Sequence, residues 1–246
     1  MTTPTAAVLV VGNEVLSAKV RDENGPYAAQ RLRELGVRLT ALLTLPDELD
    51  VLDEAIRRER TRVEWLFTSG GVGPTHDDVT LLAVSRALER PLERNAALAD
   101  NVHRWYARRG GTPPDAALRM ADVPRGTRLV GDPAFPAMVV ENVVMLPGPP
   151  PFFRAQFDTF VGALESPPFR LASVYVGVAE DSFAVSLHEV AQRHPDVDIG
   201  SYPRFDDADH RVLITFEAKD ATRVEAAMRA FLEALPAGAV VRFEGP

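Results

Sequence analysis

The sequence predicts an α/β protein, in which a three-layer α/β/α domain with a mostly parallel sheet precedes a small α+β domain. Apolar runs of strand length alternate with helical patterns over the first two thirds of the chain. This alternation is interrupted at Ser166-Pro167-Pro168, after which the order of strands and helices is different. Strands that are apolar on both faces are typical of parallel sheets with helices on both sides. We therefore predict a first domain of residues 1–166 and a second of residues 167–246.

The first domain contains repeated strand–helix units. The predicted strands are residues 6–11, 37–43, 63–68 and 143–146. Helical patterns lie on Ala28, Leu32 and Leu35 with a stop at Gly36, on Leu49, Leu52 and Ile56, and over 79–88, 98–106 and 152–164. Trp65, Trp105 and Tyr106 fall at apolar positions of these elements, and we interpret them as core residues.

The second domain has the order β-α-β-β-α-β, which is the split-βαβ, ferredoxin-like arrangement. Its predicted strands are 171–178, 197–202, 211–218 and 239–243, with helices on Phe183, Leu187 and Val190 and over 224–235. Arg204, Asp206 and Asp207 would form the tip of its central hairpin. We interpret that tip as a solvated turn, with a lid or a dimer contact as the alternative.

Composition excludes several classes of function. The chain has no cysteine, which removes thiol nucleophiles, cysteine-bound metals and disulfides, and its five histidines follow no metal-binding spacing. The net charge is −8, and the parts on either side of Ser166 are both acidic, so we expect no nucleic-acid partner. No apolar run reaches the roughly 18 residues that span a bilayer, and the start lacks the pattern of a secretory signal. We expect a cytoplasmic protein with no membrane partner.

Polar or glycine-rich segments follow all four predicted strands of the first domain. They are Gly12-Asn13-Glu14, Pro46-Asp47-Glu48, the segment from Ser69 to Asp78, and Pro147-Gly148-Pro149. Because ligands bind beyond the carboxyl ends of parallel strands, we expect these segments to meet at one edge of the sheet.

The third segment, Ser69-Gly70-Gly71-Val72-Gly73-Pro74-Thr75-His76-Asp77-Asp78, predicts a phosphate cradle. Three glycines within four residues bring backbone amides close to an anion, and a helix N-terminus follows. No lysine follows the glycines, and His76 stands where a dinucleotide fingerprint has its third glycine. The alternative is structural: Thr75 and Asp78 have capping-box spacing, and acids in a first helical turn complement the helix dipole.

Carboxylates beside a phosphate cradle would repel a diphosphate unless a divalent cation lay between them, so we expect a metal dependence. A carboxylate that is not a metal ligand could activate water as a general base. Glu14 could instead be an exposed loop acid, and Asp47 could be a helix N-cap.

Taken together, the four segments resemble the molybdopterin-binding (MoaB/Mog-like) domain family. The nearest form is that of the N-terminal regions of competence/damage-inducible protein A and eukaryotic FAD synthase. The residues that carry the resemblance are Gly12-Asn13-Glu14-Val15-Leu16, Pro46-Asp47-Glu48, the string from Ser69 to Thr80, and Leu146-Pro147-Gly148-Pro149-Pro150. Gly200-Ser201-Tyr202-Pro203 is similar to the segment that follows this domain in both relatives.

The resemblance implies a nucleotide or pterin pocket and, in the two nearest relatives, metal-dependent cleavage of FAD or ADP-ribose. On this basis Asp47 and Asp78 are the candidate catalytic residues, and Glu14, Asp77 and Asp78 are the candidate ligands of Mg²⁺, Mn²⁺ or Co²⁺, with potassium as an accessory ion. The candidate binding residues are Gly12, Asn13, Asn24, Ser69, Gly70, Gly71, Val72, Gly73, Thr75, Thr80, Pro147, Gly148 and Pro149.

Two departures from the family pattern affect the floor of the pocket. Ala18 stands where the family commonly has glycine, and Asp22-Glu23-Asn24 replaces Asn-Thr-Asn.

The first functional hypothesis is a metal-dependent pyrophosphohydrolase acting on an ADP-containing small molecule. The alternatives are a module that binds molybdopterin or a nucleotide without turnover, and an enzyme that adenylylates molybdopterin. We expect a homo-oligomer in each case.

Overall fold

The computed structural model describes residues 3–164, 166–204 and 209–246. The chain divides into two compact units, Met1–Ser166 and Pro167–Pro246. Asp206 and Asp207, which were assigned to a hairpin tip, lie outside the described residues. In the described part of the chain, no helix is both long enough and apolar enough to cross a bilayer.

The first unit is built on a six-stranded sheet. Its strands, together with a separate pair formed by β4 and β5, are β1 (Thr5–Val11), β2 (Arg38–Leu45), β3 (Trp65–Ser69), β4 (Leu92–Arg94), β5 (Asp122–Pro124), β6 (Arg128–Val130), β7 (Ala137–Val140) and β8 (Val143–Leu146). Its helices are α1 (Asn13–Leu16), α2 (Asn24–Glu34), α3 (Leu49–Arg60), α4 (Thr80–Ala87), α5 (Ala96–Ala107), α6 (Asp115–Leu118) and α7 (Pro150–Val161).

The order of the large sheet is β2-β1-β3-β8-β7-β6. The first four of these strands are parallel, as the sequence predicts, and β7 and β6 continue the sheet in antiparallel fashion. The sequence analysis missed β6 and β7. A tight turn at Glu141-Asn142, with Glu141 at φ 52°, divides one apolar stretch into the paired strands β7 and β8.

Both faces of the sheet are buried, which confirms the three-layer prediction. Along β1, Ala7, Leu9 and Val11 face a core that α3 and α4 complete. Ala6, Val8 and Val10 face the opposite core, which contains Leu32 of α2 and the phenylalanines of α7. This alternation follows from the two-residue period of a strand.

Trp65 belongs to the second of these cores, as predicted. Its ring meets that of Phe160 edge to face, with 4.9 Å between the ring centroids.

The second unit confirms the ferredoxin-like prediction. Its elements are β9 (Arg170–Val176), α8 (Ala184–Arg193), β10 (Asp198–Pro203), β11 (Val212–Ala218), α9 (Ala221–Ala234) and β12 (Val240–Glu244). The sheet order is β10-β11-β9-β12, and all neighbouring strands are antiparallel. Phe216 and Phe231 lie at the centre of its core.

Ala18 lies in a strained backbone conformation. Ala18 adopts a φ of 56°, in the left-handed region that costs an L-residue about 1–2 kcal/mol. We therefore expect Ala18→Gly to raise the free energy of unfolding by about 0.5–1 kcal/mol, because glycine's greater freedom in the unfolded chain offsets part of the gain.

Chemical denaturation of the full chain would measure this effect. The matched control is Ala155→Gly, at an exposed position inside α7, which should lose about 1 kcal/mol. Destabilisation by both substitutions would show that the backbone at Ala18 carries no strain.

Candidate functional site

The loops after β1, β2, β3 and β8 meet at one edge of the sheet and line a cavity of about 900 Å³. This volume lies in the range of small-molecule sites. Of the candidate residues, those that line the cavity are Glu14, Asp47, Gly70, Gly71, Val72, Gly73, Thr75, Asp77, Asp78, Pro147, Gly148 and Pro149. Those that do not line it are Gly12, Asn13, Asn24, Ser69 and Thr80.

The glycine loop follows β3 and depends on glycine at two positions. Gly70 and Gly71 have φ values of 101° and 68°, and a Cβ on them would collide with the Val11 carbonyl oxygen and the Thr80 hydroxyl, respectively. Within the described residues, the amides of Gly71, Val72 and Gly73 have no hydrogen-bond acceptor. Because these three residues line the cavity, their amides are available as the backbone donors that an anion site requires.

Thr80 anchors this loop to the start of α4. Its hydroxyl donates to the Gly70 carbonyl oxygen at 2.9 Å, and its amide donates to the Gly71 carbonyl oxygen at 2.9 Å. The helix therefore begins at Thr80. The structural alternative, in which Asp77 and Asp78 occupy a first helical turn, was wrong, because the chain makes a separate turn over these residues before the helix starts.

Asn24 links the end of β3 to the loop after β8. Its side-chain amide donates to the Ser69 hydroxyl at 2.8 Å and to the Gly148 carbonyl oxygen at 2.6 Å. Asn24 and Ser69 are almost completely buried. Their contacts fix the positions of the loops, whereas the cavity surface comes from other residues.

Asp47 joins the loops after β1 and β2. Its Oδ2 accepts a hydrogen bond of 2.7 Å from the Asn13 amide. The alternative role as the N-cap of α3 was wrong, because Glu48 occupies that position and the Asp47 carboxylate turns toward Asn13. The Gly12 amide donates to the Leu45 carbonyl oxygen at 3.1 Å and closes the same junction.

Thr75 organises the acidic turn of the glycine loop. The Thr75 amide donates to Asp78 Oδ2 at 2.7 Å, and its hydroxyl donates to the same oxygen. Only one half of the capping-box contact forms, because the Thr75 hydroxyl donates to the Asp78 carboxylate instead of accepting from the Asp78 amide, and the turn lies before α4, whose N-cap is Val79. Hydrogen bonding by the Thr75 side chain and by the backbone amide of Asp77 lowers the pKa of Asp77.

The acidic side chains act on one another electrostatically. Partial burial raises the pKa of Asp47, and repulsion from Glu14, Asp77 and Asp78 adds to this rise, while the Asn13 hydrogen bond opposes it. In the same cavity the pKa of Asp77 is lowered. Carboxylates whose pKa values are pushed apart in one cleft are a common feature of acid–base sites.

In the described ranges, no three acidic or histidine side chains are grouped closely enough to hold a metal ion unaided. Mg²⁺ is usually held by one or two carboxylates together with substrate phosphates, so the carboxylates of the cavity fit this shared mode. A bound cation would offset the repulsion that Glu14, Asp77 and Asp78 exert on Asp47.

Helix α5 supplies a wall of the cavity that the sequence analysis did not assign to the site. Its lining residues are Leu98, Asn101, Val102, Arg104, Trp105 and Tyr106, followed by Arg108 at its end. The interpretation of Trp105 and Tyr106 as core residues was wrong: Trp105 is 50% exposed and Tyr106 is half-buried. None of the described residues of α5 is buried, so this helix does not enter the core as the sequence analysis expected.

A signal for this wall is present in the sequence. In the sequence, the Trp105-Tyr106 pair is flanked by Arg104, Arg108 and Arg109. A helix face that packs into a core rarely has so many arginines beside its aromatic residues. Phe135 and Phe152 also line the cavity with exposed rings.

Two family models match the chain. The model described as a probable molybdopterin binding domain matches residues 7–166, and the model of the FAD synthase middle domain matches residues 168–244.

The chain is similar to curated proteins over most of its length. A protein of Archaeoglobus fulgidus is 30% identical over 93% of this chain and 96% of its own length. A probable FAD synthase of Caenorhabditis elegans is 28% identical over 98% of this chain and 51% of its own. A CinA-like protein of Myxococcus xanthus is 29% identical over 91% of this chain and 56% of its own. This chain therefore spans about half of the latter two.

A solved structure, that of the protein CinA from Thermoplasma acidophilum, resembles the chain with a TM-score of 0.59 and 25% identity. The likeness covers 66% of this chain and 99% of the solved chain.

Asn24→Ala tests the cross-link beneath the loops. The substitution leaves the Ser69 hydroxyl and the Gly148 carbonyl oxygen without their common donor, so we expect a loss of about 2 kcal/mol in the free energy of unfolding. Asn101→Ala, which removes an exposed side-chain hydrogen bond to the Pro133 carbonyl oxygen, should cost less than about 0.5 kcal/mol. Equal losses for the two variants in urea titrations would argue against a structural role for Asn24.

Asp47→Asn tests the electrostatics of the acidic side chains. A raised pKa means that ionisation of Asp47 destabilises the fold as the pH rises through that pKa, whereas asparagine stays neutral and still accepts from the Asn13 amide. We expect Asp47→Asn to be more stable than the wild type by about 0.5 kcal/mol at pH 8, after solvent screening is allowed for, with the difference shrinking toward acidic pH.

The control is Glu48→Gln, whose exposed side chain lies outside the cavity lining and should show no such pH-dependent gain. Thermal unfolding across the pH range is the measurement. A difference between Asp47→Asn and wild type that does not change with pH would contradict the repulsion.

Proposed function

We propose a function for this chain from the premise that it belongs to the probable molybdopterin binding domain family: its first unit binds a nucleotide or pterin phosphate and cleaves the diphosphate of an ADP-containing small molecule. The observation that carries the proposal is the meeting of free loop amides with four carboxylates in one cavity of about 900 Å³. Free amides suit a phosphate, and carboxylates suit water activation and a divalent cation.

FAD and ADP-ribose are the leading substrates in this proposal. In both, a diphosphate joins AMP to a second sugar or sugar-alcohol group, so one site could cleave either. Similarity to a probable FAD synthase and to a CinA-like protein supports a cofactor-related substrate, although this chain spans only about half of each.

In the proposed reaction, the amides of Gly71, Val72 and Gly73 bind the oxygens of one phosphate. Asp47 orients a water molecule and accepts its proton. Its raised pKa makes it a better base than an ordinary aspartate, and the Asn13 bond occupies Oδ2, so Oδ1 is the oxygen available to the water. The water oxygen bonds to one phosphorus, the bridging P–O bond breaks, and the products are AMP and a second monophosphate.

A divalent cation, Mg²⁺, Mn²⁺ or Co²⁺, is part of the proposal, with potassium as an accessory ion. One or two of the candidate ligands Glu14, Asp77 and Asp78 would hold it together with the phosphate oxygens, and the lowered pKa of Asp77 keeps that carboxylate ionised. When bound, such a cation neutralises charge on the diphosphate and polarises its phosphorus–oxygen bonds.

A second candidate function is a module that binds molybdopterin or a nucleotide without turnover. The engagement of Asp78 Oδ2 by both donors of Thr75 favours it, because that carboxylate then serves the turn. A thermal shift by molybdopterin or nucleotide that needs no added metal, with no AMP formed, would support this candidate. ATP consumption that depends on molybdopterin would instead support adenylylation.

The test of the first proposal is AMP release from FAD and from ADP-ribose, measured with each divalent cation in turn. We expect metal-dependent release that falls at least about 100-fold in Asp47→Asn and in Asp78→Asn, in line with loss of a general base or a cation ligand. Glu48→Gln, one residue from Asp47 but outside the cavity lining, should retain full activity. Wild-type protein that forms no AMP with any cation, or full activity in both aspartate variants, would reject the hydrolase.

A further inference from the structure

We infer that α5 and its neighbours form a binding site for the adenine ring, with Trp105 as the stacking platform and Gln156 as the polar contact. The inference rests on the proposed function for the choice of adenine, since this is the ring that FAD and ADP-ribose share. The site itself is argued from the aromatic wall of the cavity.

The apolar side of α5 is only partly covered by the protein, although Leu98 packs against the core on one face of the sheet. Leu98, Val102 and Trp105 follow one another at spacings of four and three residues, so they lie on one face of the helix. All three line the cavity, and none of the described residues of α5 is buried. An apolar helix face that borders a cavity of this size gains stability when an apolar or aromatic ligand covers it.

Arg109 holds Trp105 in place for stacking. Its guanidinium carbon lies 3.7 Å from the centroid of the Trp105 ring, and its Nη1 donates to the Trp105 carbonyl oxygen at 3.2 Å. Arg109 covers one face of the ring and is not among the residues that line the cavity. The remaining exposed surface of the ring is oriented before a ligand arrives, which reduces the entropy lost on binding.

Phe135 and Phe152 add a second aromatic surface to the same cavity. They are 41% and 54% exposed, and their rings meet edge to face with centroids 5.1 Å apart. A flat heteroaromatic ring would pack against these aromatic rings over a larger area than a sugar or a phosphate would.

Gln156 provides an unused acceptor at this wall. The residue is 6% exposed and lines the cavity. Its Nε2 donates to the Phe135 and Pro136 carbonyl oxygens, which fixes the amide orientation, while its Oε1 has no partner in the part of the chain that the structure describes. A buried acceptor without a donor is costly, and an exocyclic amino group such as that of adenine would satisfy it after a small movement of the side chains that enclose Oε1.

The experiment compares AMP with ribose 5-phosphate, which differ only by the base and contain no diphosphate to be cleaved. Equilibrium binding to the full chain is measured by calorimetry for the wild type and for Trp105→Ala, Trp105→Phe and the control Leu82→Ala. Leu82 is 41% exposed on α4 and does not line the cavity.

We expect AMP to bind the wild type more tightly than ribose 5-phosphate. Trp105→Ala should weaken AMP binding about tenfold and leave ribose 5-phosphate unchanged, in line with the loss of base–aromatic stacking. Trp105→Phe and Leu82→Ala should both stay within about threefold of the wild type. AMP should also bind more tightly than purine riboside 5′-monophosphate, which lacks the amino group.

Tryptophan fluorescence gives a second readout. The chain has two tryptophans, and the other, Trp65, packs against Phe160 in the core. AMP should therefore change the emission of the wild type and leave that of Trp105→Phe unaltered.

Equal effects of Trp105→Ala on AMP and ribose 5-phosphate would overturn the inference, as would failure of millimolar AMP to bind the wild type. Equal binding of AMP and purine riboside 5′-monophosphate would overturn the assignment to Gln156. If FAD and ADP-ribose are not cleaved but the base-dependent effect of Trp105→Ala is observed, the hydrolase proposal fails and the adenine site stands.

Discussion

Close backbone contact at the carboxyl ends of β1, β3 and β8 is the constraint on which the candidate site depends. Gly70 donates its amide to the Leu146 carbonyl oxygen at 3.0 Å, and its Cα lies so near the Val11 carbonyl that no side chain fits between them. A Cβ on Gly148 would touch the Gly70 Cα at 3.4 Å. With Asn24 bridging Ser69 and Gly148, these contacts hold the glycine loop open toward the cavity.

The same geometry concentrates negative charge. Loops that the parallel strands deliver to one edge bring Glu14, Asp47, Asp77 and Asp78 within electrostatic reach of one another. Partial burial raises the pKa of Asp47, and repulsion from the other three carboxylates adds to that rise. Repulsion of this kind weakens a fold, so its presence in a cavity beside free amides is typical of functional sites. The aromatic wall supplies the opposite character in the same cavity, which suits a ligand that is charged at one end and flat and apolar at the other.

Much of the fold could be predicted because its signals are local. Two-sided apolar strands such as residues 6–11 leave few alternatives to a parallel sheet, and the four polar segments then fall at one edge by topology alone. Strand β7 was missed because only the turn at Glu141 separates it from β8, and β6 was missed because it has only three residues. That turn needs a positive φ at Glu141, which cannot be predicted from a glutamate in the sequence.

Individual roles at the site were harder to predict, because they depend on contacts distant in sequence. Asp47 has the sequence context of a helix cap, yet its carboxylate meets Asn13. Asn24 has no local signal for its contacts with Ser69 and Gly148. Trp105 falls at an apolar position of a helical pattern. The arginines around it argue against a core face, but its place beside a cavity depends on the tertiary arrangement.

The most direct test of the phosphate cradle is to titrate the nitrogen-15-labelled chain with inorganic pyrophosphate and Mg²⁺ and to follow the amide chemical shifts. The amides of Gly71, Val72, Gly73 and Gly148 should move first and saturate together. Shifts spread over distant surfaces, or none at these four residues, would mean that the edge of the sheet does not bind a diphosphate.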